Sequence, residues 1–264
     1  VASPAGQDCV SPPAHSAFSD VEGLIEFVEL IAQDTGLPVG IKSAVGETSF
    51  WERLAERMAD TGGAPDFITV DDGEGGTGAA PLAFADHVAL PFKLGFARVY
   101  RTFALAGLAE DTVFIGSGRL GFPDSALFAF GLGCDLINVG REAMLAIGCI
   151  QAQRCHTGRC PAGVATHSRW QMHGLDPELK SARAANYLIT LRAEILALSR
   201  SCGVPHPSLV TPEHFEVVCE RYGSAQLADV FDYQPDWPVL PAGGAPHCRA
   251  PCQPATTVIL TIDA

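Results

Sequence analysis

Four times between residues 38 and 150 a short apolar run ends on glycine or a polar residue and gives way to a helical pattern. The runs are Pro38-Val-Gly-Ile-Lys-Ser-Ala44, Phe67-Ile-Thr-Val70, Thr112-Val-Phe-Ile115 and Leu136-Ile-Asn-Val139. Helices are predicted after them over about 47–61, 92–108, 124–131 and 142–150. Another is predicted ahead of them over 21–34, capped by Ser19 or Asp20 and carried by Leu24, Phe27, Val28 and Ile31 at helical spacing. Strands alternating with helices imply a parallel sheet wrapped by helices. Nearly all-apolar strands suit a sheet covered on both faces. In such sheets ligands and chemistry gather at the carboxyl edge. An open doubly wound sheet and a (β/α)8 barrel both fit. A full barrel needs eight strands and about 250 residues. With four strands legible, the barrel reading leaves only half of one in this chain.

The rest of the chain reads differently. A long helix is predicted over 176–201, through Ala182, Ala185, Leu188, Leu191, Ile195 and Leu198, and a further one over 212–230. From Pro235 the sequence turns rich in Pro, Gly and Cys, with a brief strand-like Thr257-Val-Ile-Leu-Thr261. The expected organisation is a partial barrel over 1–170 opening with a loop, a helical extension over 171–235, and a tail over 236–264. Charge narrows the function classes. With 17 Lys+Arg against 30 Asp+Glu the net charge is −13, and no basic stripe exists to neutralise a nucleic-acid backbone. No apolar run reaches the roughly 18 residues of a membrane span. The best, Ser125 to Gly133, is halted by Asp135. No basic start precedes an apolar block, so no signal peptide is read and a cytoplasmic location is expected. The first residue is Val1, and a piece of a longer protein is expected.

Nine cysteines, an odd number without a secretion signal, argue against a disulfide framework. Three of them, Cys149, Cys155 and Cys160, form C-x5-C-x4-C, with Pro161 directly after the last. Thiolates hold iron–sulfur clusters, and such runs carry a Pro after a cluster Cys. Zinc favours four ligands and closer Cys pairs. His156 could complete a zinc site, but its adjacency to Cys155 makes shared chelation awkward. Unlinked structural cysteines are the plain alternative.

The strand ends supply further candidates. Gly116-Ser117-Gly118 and Gly140-Arg141 close two adjacent strands. Glycine lets backbone N–H groups approach an anion such as a phosphate, though it also makes tight strand–helix turns. Lys42 sits near the end of an apolar strand and is one of only three lysines. A lysine there must find an anion, either a ligand's charge or Asp71 or Asp72. Asp72-Gly-Glu-Gly-Gly-Thr-Gly-Ala-Ala-Pro81 joins a flexible backbone to carboxylates, as a ligand loop or lid would, or else as a solvated turn.

Together with Ile147-Gly-Cys-Ile-Gln-Ala-Gln-Arg-Cys-His-Thr-Gly-Arg-Cys-Pro-Ala-Gly-Val-Ala-Thr166, that run resembles the FMN-binding domain of glutamate synthase, and more narrowly the stand-alone FMN-binding glutamate synthase-like proteins. Gly6-Gln-Asp-Cys-Val-Ser-Pro12 with His15, Pro38-Val-Gly-Ile-Lys42 and Pro65-Asp-Phe-Ile-Thr-Val70 agree, so the similarity covers about residues 5–230. The resemblance implies a (β/α)8 barrel with FMN at its carboxyl mouth and a [3Fe-4S] cluster beside it. Cys149, Cys155 and Cys160 would bind the cluster. Gly116, Ser117, Gly118, Gly140 and Arg141 would surround the FMN phosphate. Lys42 would contact the flavin and, with Glu74, serve catalysis. Asp72, Gly75, Gly76 and Thr77 would line the cofactor site.

The implied reaction reduces the imine of 2-oxoglutarate and ammonia, the latter supplied free or from glutamine, to L-glutamate. Electrons would come from ferredoxin or an NAD(P)H-reductase subunit through the cluster. Three departures stand out. The family's N-terminal barrel half, with early FMN contacts and a 2-oxoglutarate-gripping segment, is not in this chain and would have to come from the same gene or a partner chain. There is no N-terminal Cys nucleophile for glutamine hydrolysis. Gly73-Glu74 stands where the larger enzymes read His-Asp. The alternatives are an electron-transfer or scaffold subunit that keeps the cluster alone, and another FMN-dependent barrel oxidoreductase such as a 2-hydroxy-acid oxidase or isomerase.

Overall fold

The computed structural model describes residues 14–74, 83, 86–218, 223–235 and 237. The chain opens with α1 (Val21–Thr35) and then alternates: β1 (Gly40–Ala44), α2 (Ser49–Thr61), β2 (Phe67–Asp71), α3 (Phe92–Leu105), β3 (Val113–Ser117), α4 (Pro123–Gly131), β4 (Leu136–Asn138) and α5 (Arg141–Ala146). Local signals set the helix ends. The Asp20 carboxylate caps α1 by accepting from the Gly23 N–H at 2.8 Å. Gly36 and Gly62 end α1 and α2 in the left-handed conformation that a side chain disfavours.

The four strands form one sheet in the order β1-β2-β3-β4, every neighbouring pair parallel. A doubly wound sheet reverses its order at a switch point, and this one does not. Sequential order with right-handed crossovers puts all the connecting helices on one face, as in a barrel wall. The two faces differ accordingly. Ile68, Val70, Phe114 and Ile137 face the helix layer and are 0–1% exposed. On the other face the register aligns Lys42, Thr69, Ile115 and Leu136 in one row, and Ala44, Asp71, Ser117 and Asn138 in the next. Most of that second face is half-buried or exposed. It is the face that would line a barrel's interior. The chain therefore has the α/β architecture of half a (β/α)8 barrel.

Between sheet and helices Trp51, Leu54, Phe96, Tyr100, Phe103 and Phe114 are fully buried. Edge-to-face contacts tie Phe114 to Phe96, Tyr100 and Phe103. Truncating Phe114 to Ala would cost about 3–5 kcal/mol through lost burial and the cavity left behind.

The later elements close over the same core. After α6 (Arg169–Met172), α7 (Pro177–Ser201) lies along α4 and α5, with Leu191 and Ile195 buried and Tyr187 Oη donating to the Gly121 carbonyl at 2.6 Å. Two expectations are corrected. The helix predicted to reach Ile150 stops at Ala146, because Gly148 at φ +110 turns the chain into the cysteine loop. No single helix spans 212–230. The chain runs instead through a 3-10 turn at Pro212–His214, β5 (Glu216–Val218), β6 (Ser224–Gln226) and α8 (Leu227–Phe231). The two strands pair antiparallel. The exposed–half-buried–exposed alternation of Glu216-Val217-Val218 is a period of two. Phe215, on the residue before, packs edge-on against Phe128. Among the described residues no helix is long and apolar enough to cross a membrane. The predicted tail strand at 257–261 and the first loop up to residue 13 lie outside the described residues.

Candidate functional site

The carboxyl ends of β1 to β4 gather most of the polar candidates on one edge. From the middle of β1, Lys42 Nζ pairs with Asp71 Oδ2 at the end of β2 at 3.2 Å, both half-exposed. That is one of the two ion-pair partners weighed for a lysine at this position. The pair stands on the open face, at the rim where β2 runs into Asp72 and Glu74.

Asp72 turns inward and is 8% exposed. Its carboxylate lies against Gly118 at the end of β3, where a Cβ would come within 2.3 Å of Oδ2. Glycine at 118 is thus a requirement of close approach rather than of turn geometry alone. Burial, then the neighbouring Glu74 carboxyl and the charge of Asp71, push the Asp72 carboxyl up to about 7. Glu74 Oε2 accepts from the Phe92 N–H at the start of α3 at 3.3 Å, and the Glu74 carbonyl accepts from Arg119 Nε at 2.8 Å.

An arginine pair completes the edge. Arg119, after β3, and Arg141, after β4, both donate to the same oxygen, Asp86 Oδ1, at 2.8 and 2.9 Å. Although burial alone would raise it, the two guanidinium groups hold Asp86 below the usual carboxylate range. Two forked donors converging on one oxyanion are the donor set for a phosphate or carboxylate. Here the protein's own carboxylate takes that place. Beside them no described residue comes within 4 Å of a Cβ built on Gly140, so the backbone there has room for a close ligand. Sequence reading missed Arg119 and Asp86. The signal for Arg119 was its position directly after Gly118; Asp86 is some thirty residues away and only the fold brings it in.

Not every sequence candidate faces that edge. Gly116 points into the helix layer, where a Cβ would meet Cys134 Sγ at 2.8 Å and Phe92 at 2.9 Å. Packing therefore explains the glycine at 116, while Ser117 and Gly118 stand at the edge itself. Gly75, Gly76 and Thr77 lie outside the described residues.

The cysteine loop follows α5. The Cys149 N–H donates to the Met144 carbonyl at 2.9 Å, and Cys149 Sγ accepts from the Gln151 N–H at 3.4 Å. Gln151 and Gln153 adopt left-handed backbone angles, and Cys155 opens a 3-10 turn closed by Gly158. Cys160 is 6% exposed. Burial alone would raise its thiol, but the backbone N–H groups of Ala165, Ala162, Val164 and Gly163 converge on it and bring it below its ordinary value. A nest of this kind favours thiolate. Burial and then the charges of Cys149 and Cys160 push the Cys155 thiol up. All three are free thiols. Among the described residues no His, Cys, Asp or Glu group closes on a single metal ion. A cluster of several irons needs its sulfurs spread wider than one ion does, and the donor set of three thiols fits such a cluster.

The half-barrel wall thus carries an arginine pair closed on a carboxylate at its carboxyl edge and three free thiols in the loop after α5. Comparison with known proteins makes the family definite. The family described as "Conserved region in glutamate synthase" matches residues 2–205. The glutamate synthase large subunit-like protein YerD of Bacillus subtilis (strain 168) is 36% identical over 209 residues, 79% of this chain and 40% of that protein. The archaeal glutamate synthase (NADPH) of Methanocaldococcus jannaschii is 32% identical over 203 residues, 76% of this chain and 39% of its own length. A ferredoxin-dependent glutamate synthase of Antithamnion sp. is 28% identical over 201 residues, 75% of this chain and 13% of its length. The chain belongs to the glutamate synthase family, a family of oxidoreductases. It spans about two fifths of the length of the first two relatives.

Proposed function

We propose that this chain is the C-terminal part of an FMN- and [3Fe-4S]-dependent synthase barrel that reduces the imine of 2-oxoglutarate and ammonia to L-glutamate. The observation that carries the reading is the pairing of two sites: the convergent Arg119 and Arg141 guanidiniums at the sheet edge, and the Cys160 thiol in its N–H nest beyond α5. In this reading Arg141, Arg119, Ser117, Gly118 and the open backbone at Gly140 hold the phosphate of FMN, with Asp86 giving up its place. Gly116 would contribute only its backbone. Lys42 turns its ammonium from Asp71 toward the flavin ring, as an electrostatic stabiliser of negative charge. Asp72 and Glu74, with Gly75, Gly76 and Thr77, bound the mouth. Cys149, Cys155 and Cys160 ligate the cluster. When bound, FMN supplies two-electron hydride chemistry and the cluster passes single electrons. The electron donor is ferredoxin or an NAD(P)H-reductase subunit, and ammonia arrives free or from glutamine.

The remaining strands, from the same gene or a partner chain, complete the barrel and bring the groups that bind 2-oxoglutarate. The isolated chain is therefore expected to give little or no glutamate with 2-oxoglutarate, ammonia and reduced ferredoxin. Iron, acid-labile sulfide and flavin contents of the anaerobically purified chain test the cofactor assignment. Cluster with FMN affinity supports it. Cluster without flavin makes the chain an electron relay or scaffold subunit. Flavin without cluster makes it another FMN barrel oxidoreductase.

A further inference from the structure

The fold brings the Arg119 and Arg141 guanidiniums together from two strand ends, and both close on one oxygen of Asp86, at 2.8 and 2.9 Å. A carboxylate held in this way takes the N–H groups that a phosphate oxygen would use. The backbone that delivers it is unusual. Asp86, Ala89 and Arg119 have φ of +65, +85 and +50, left-handed angles that a residue with a side chain adopts at a cost. The stretch is pinned just after Asp86. The Leu90 N–H donates to the Val45 carbonyl at 2.8 Å, and the Leu90 carbonyl accepts from the Gly73 N–H at 2.9 Å. A Cβ at Gly73 would come within 2.5 Å of the Ala89 carbonyl oxygen, so the pin is tight. His87 and Val88, between the carboxylate and the pin, are exposed. Asp86 thus stands at the end of a short arm. Among the described residues, its contacts with Arg119 and Arg141 tie that arm to the ends of β3 and β4.

We propose that Asp86 is a built-in competitor for the Arg119–Arg141 site, and that it releases both arginines to a phosphate-bearing ligand when the arm swings about residues 86–89. That FMN carries this phosphate rests on the reading given under Proposed function; the competition for the two arginines does not. Electrostatics favour exchange over sharing. Two guanidiniums and a phosphate dianion are neutral together. With Asp86 still in place, three negative charges would face two positive ones, and the carboxylate would repel the ligand. Arg119 keeps its position through the exchange, because its Nε is held by the Glu74 carbonyl at 2.8 Å. Swinging out also frees Asp86 and Ala89 from their left-handed angles. The closed arm keeps the guanidiniums paired, and it lowers the apparent affinity for the ligand by the fraction of chains in which the arm is open.

Calorimetric titration of the whole chain with inorganic phosphate tests this, beside Asp86→Asn, which keeps the shape of the side chain and loses its charge. Asp86→Asn is expected to bind phosphate about tenfold more tightly than the wild type, and Arg141→Gln to lose most of the binding. Equal or weaker binding by Asp86→Asn overturns the competition and makes Asp86 a positioning residue for the two arginines, with the phosphate site intact. If neither the wild type nor Asp86→Asn binds phosphate, or if Arg141→Gln binds as well as the wild type, the phosphate site and the competition fall together. Amide hydrogen exchange of the wild type gives a readout that needs no variant to fold. Phosphate should speed exchange at residues 86–88; unchanged or slower exchange there overturns the swinging arm. Titration with FMN and with riboflavin separates the flavin reading from the rest. FMN bound no better than riboflavin overturns that reading and leaves the Asp86 result standing on inorganic phosphate.

Discussion

At the scale of single residues the candidate site depends on close approach and on unusual electrostatics. Gly118 is the sharpest case, since any side chain would collide with Asp72. Gly118→Ala is expected to cost about 1–3 kcal/mol of stability, measurable as a lower denaturant midpoint, whereas Gly140→Ala, with open space around it, should be nearly neutral. Asp72 also gives the fold a pH dependence. Its carboxyl titrates at about 7 in the fold against an ordinary 3.8. Between those values the folded chain keeps a proton that the unfolded chain has lost, so the native state binds more protons. Stability should therefore fall as pH rises from about 4 to about 7, and Asp72→Asn should flatten that slope in urea titrations at several pH values. At the cysteine loop, Cys160→Ser should abolish iron and sulfide incorporation while leaving the far-ultraviolet circular dichroism unchanged, because the nest that favours thiolate is built from backbone N–H groups rather than from the core.

The secondary-structure elements were legible where periodicity and punctuation agreed. The helix over 21–34 and the strands near 40, 67, 113 and 136 follow from apolar spacing and from glycine stops, and the structure places each within a few residues of its expected bounds. Asp176 illustrates the same logic: its carboxylate accepts from the Glu178 and Leu179 N–H groups at the start of α7. Asp176→Ala should cost about 1 kcal/mol, read as a lower thermal midpoint. The helix expected over 212–230 was misread because Phe215, Val218, Cys219 and Tyr222 fall at i, i+3, i+4 and i+7, a helical spacing. Short apolar stretches cannot be told apart by period alone, and the hairpin is settled by the contact of Phe215 with Phe128 and Gly131. The Arg119–Asp86–Arg141 cluster was out of reach for a related reason. Asp86 is a single acid in an irregular stretch, with no pattern to announce that it meets two strand ends.

For the molecule as a whole, the open face and the outer edges of β1 and β4, unpaired among the described residues, are the leading physical fact. A four-stranded wall with helices on one side only leaves backbone donors and acceptors and half-buried apolar groups such as Ile115 and Leu136 facing outward. Exposed edges of this kind pair with whatever strand is offered. The chain alone is expected to self-associate in sedimentation velocity runs. Co-expression with the preceding barrel half of a relative should convert it to a defined complex; a chain that stays monodisperse and monomeric alone would argue that its open face is covered from within.

The sequence by itself determined the unit of the fold, the parallel wall, and the family, because strand–helix alternation and the cysteine and glycine-rich motifs are local patterns that survive in one dimension. Only the tertiary structure decided which polar residues meet. It turned Gly116 into a packing position, brought Asp86 between two arginines, and set Asp72 against Gly118 and Glu74. Those pairings depend on crossovers that bring distant strand ends within hydrogen-bond reach, and spacing along a chain carries no record of that distance.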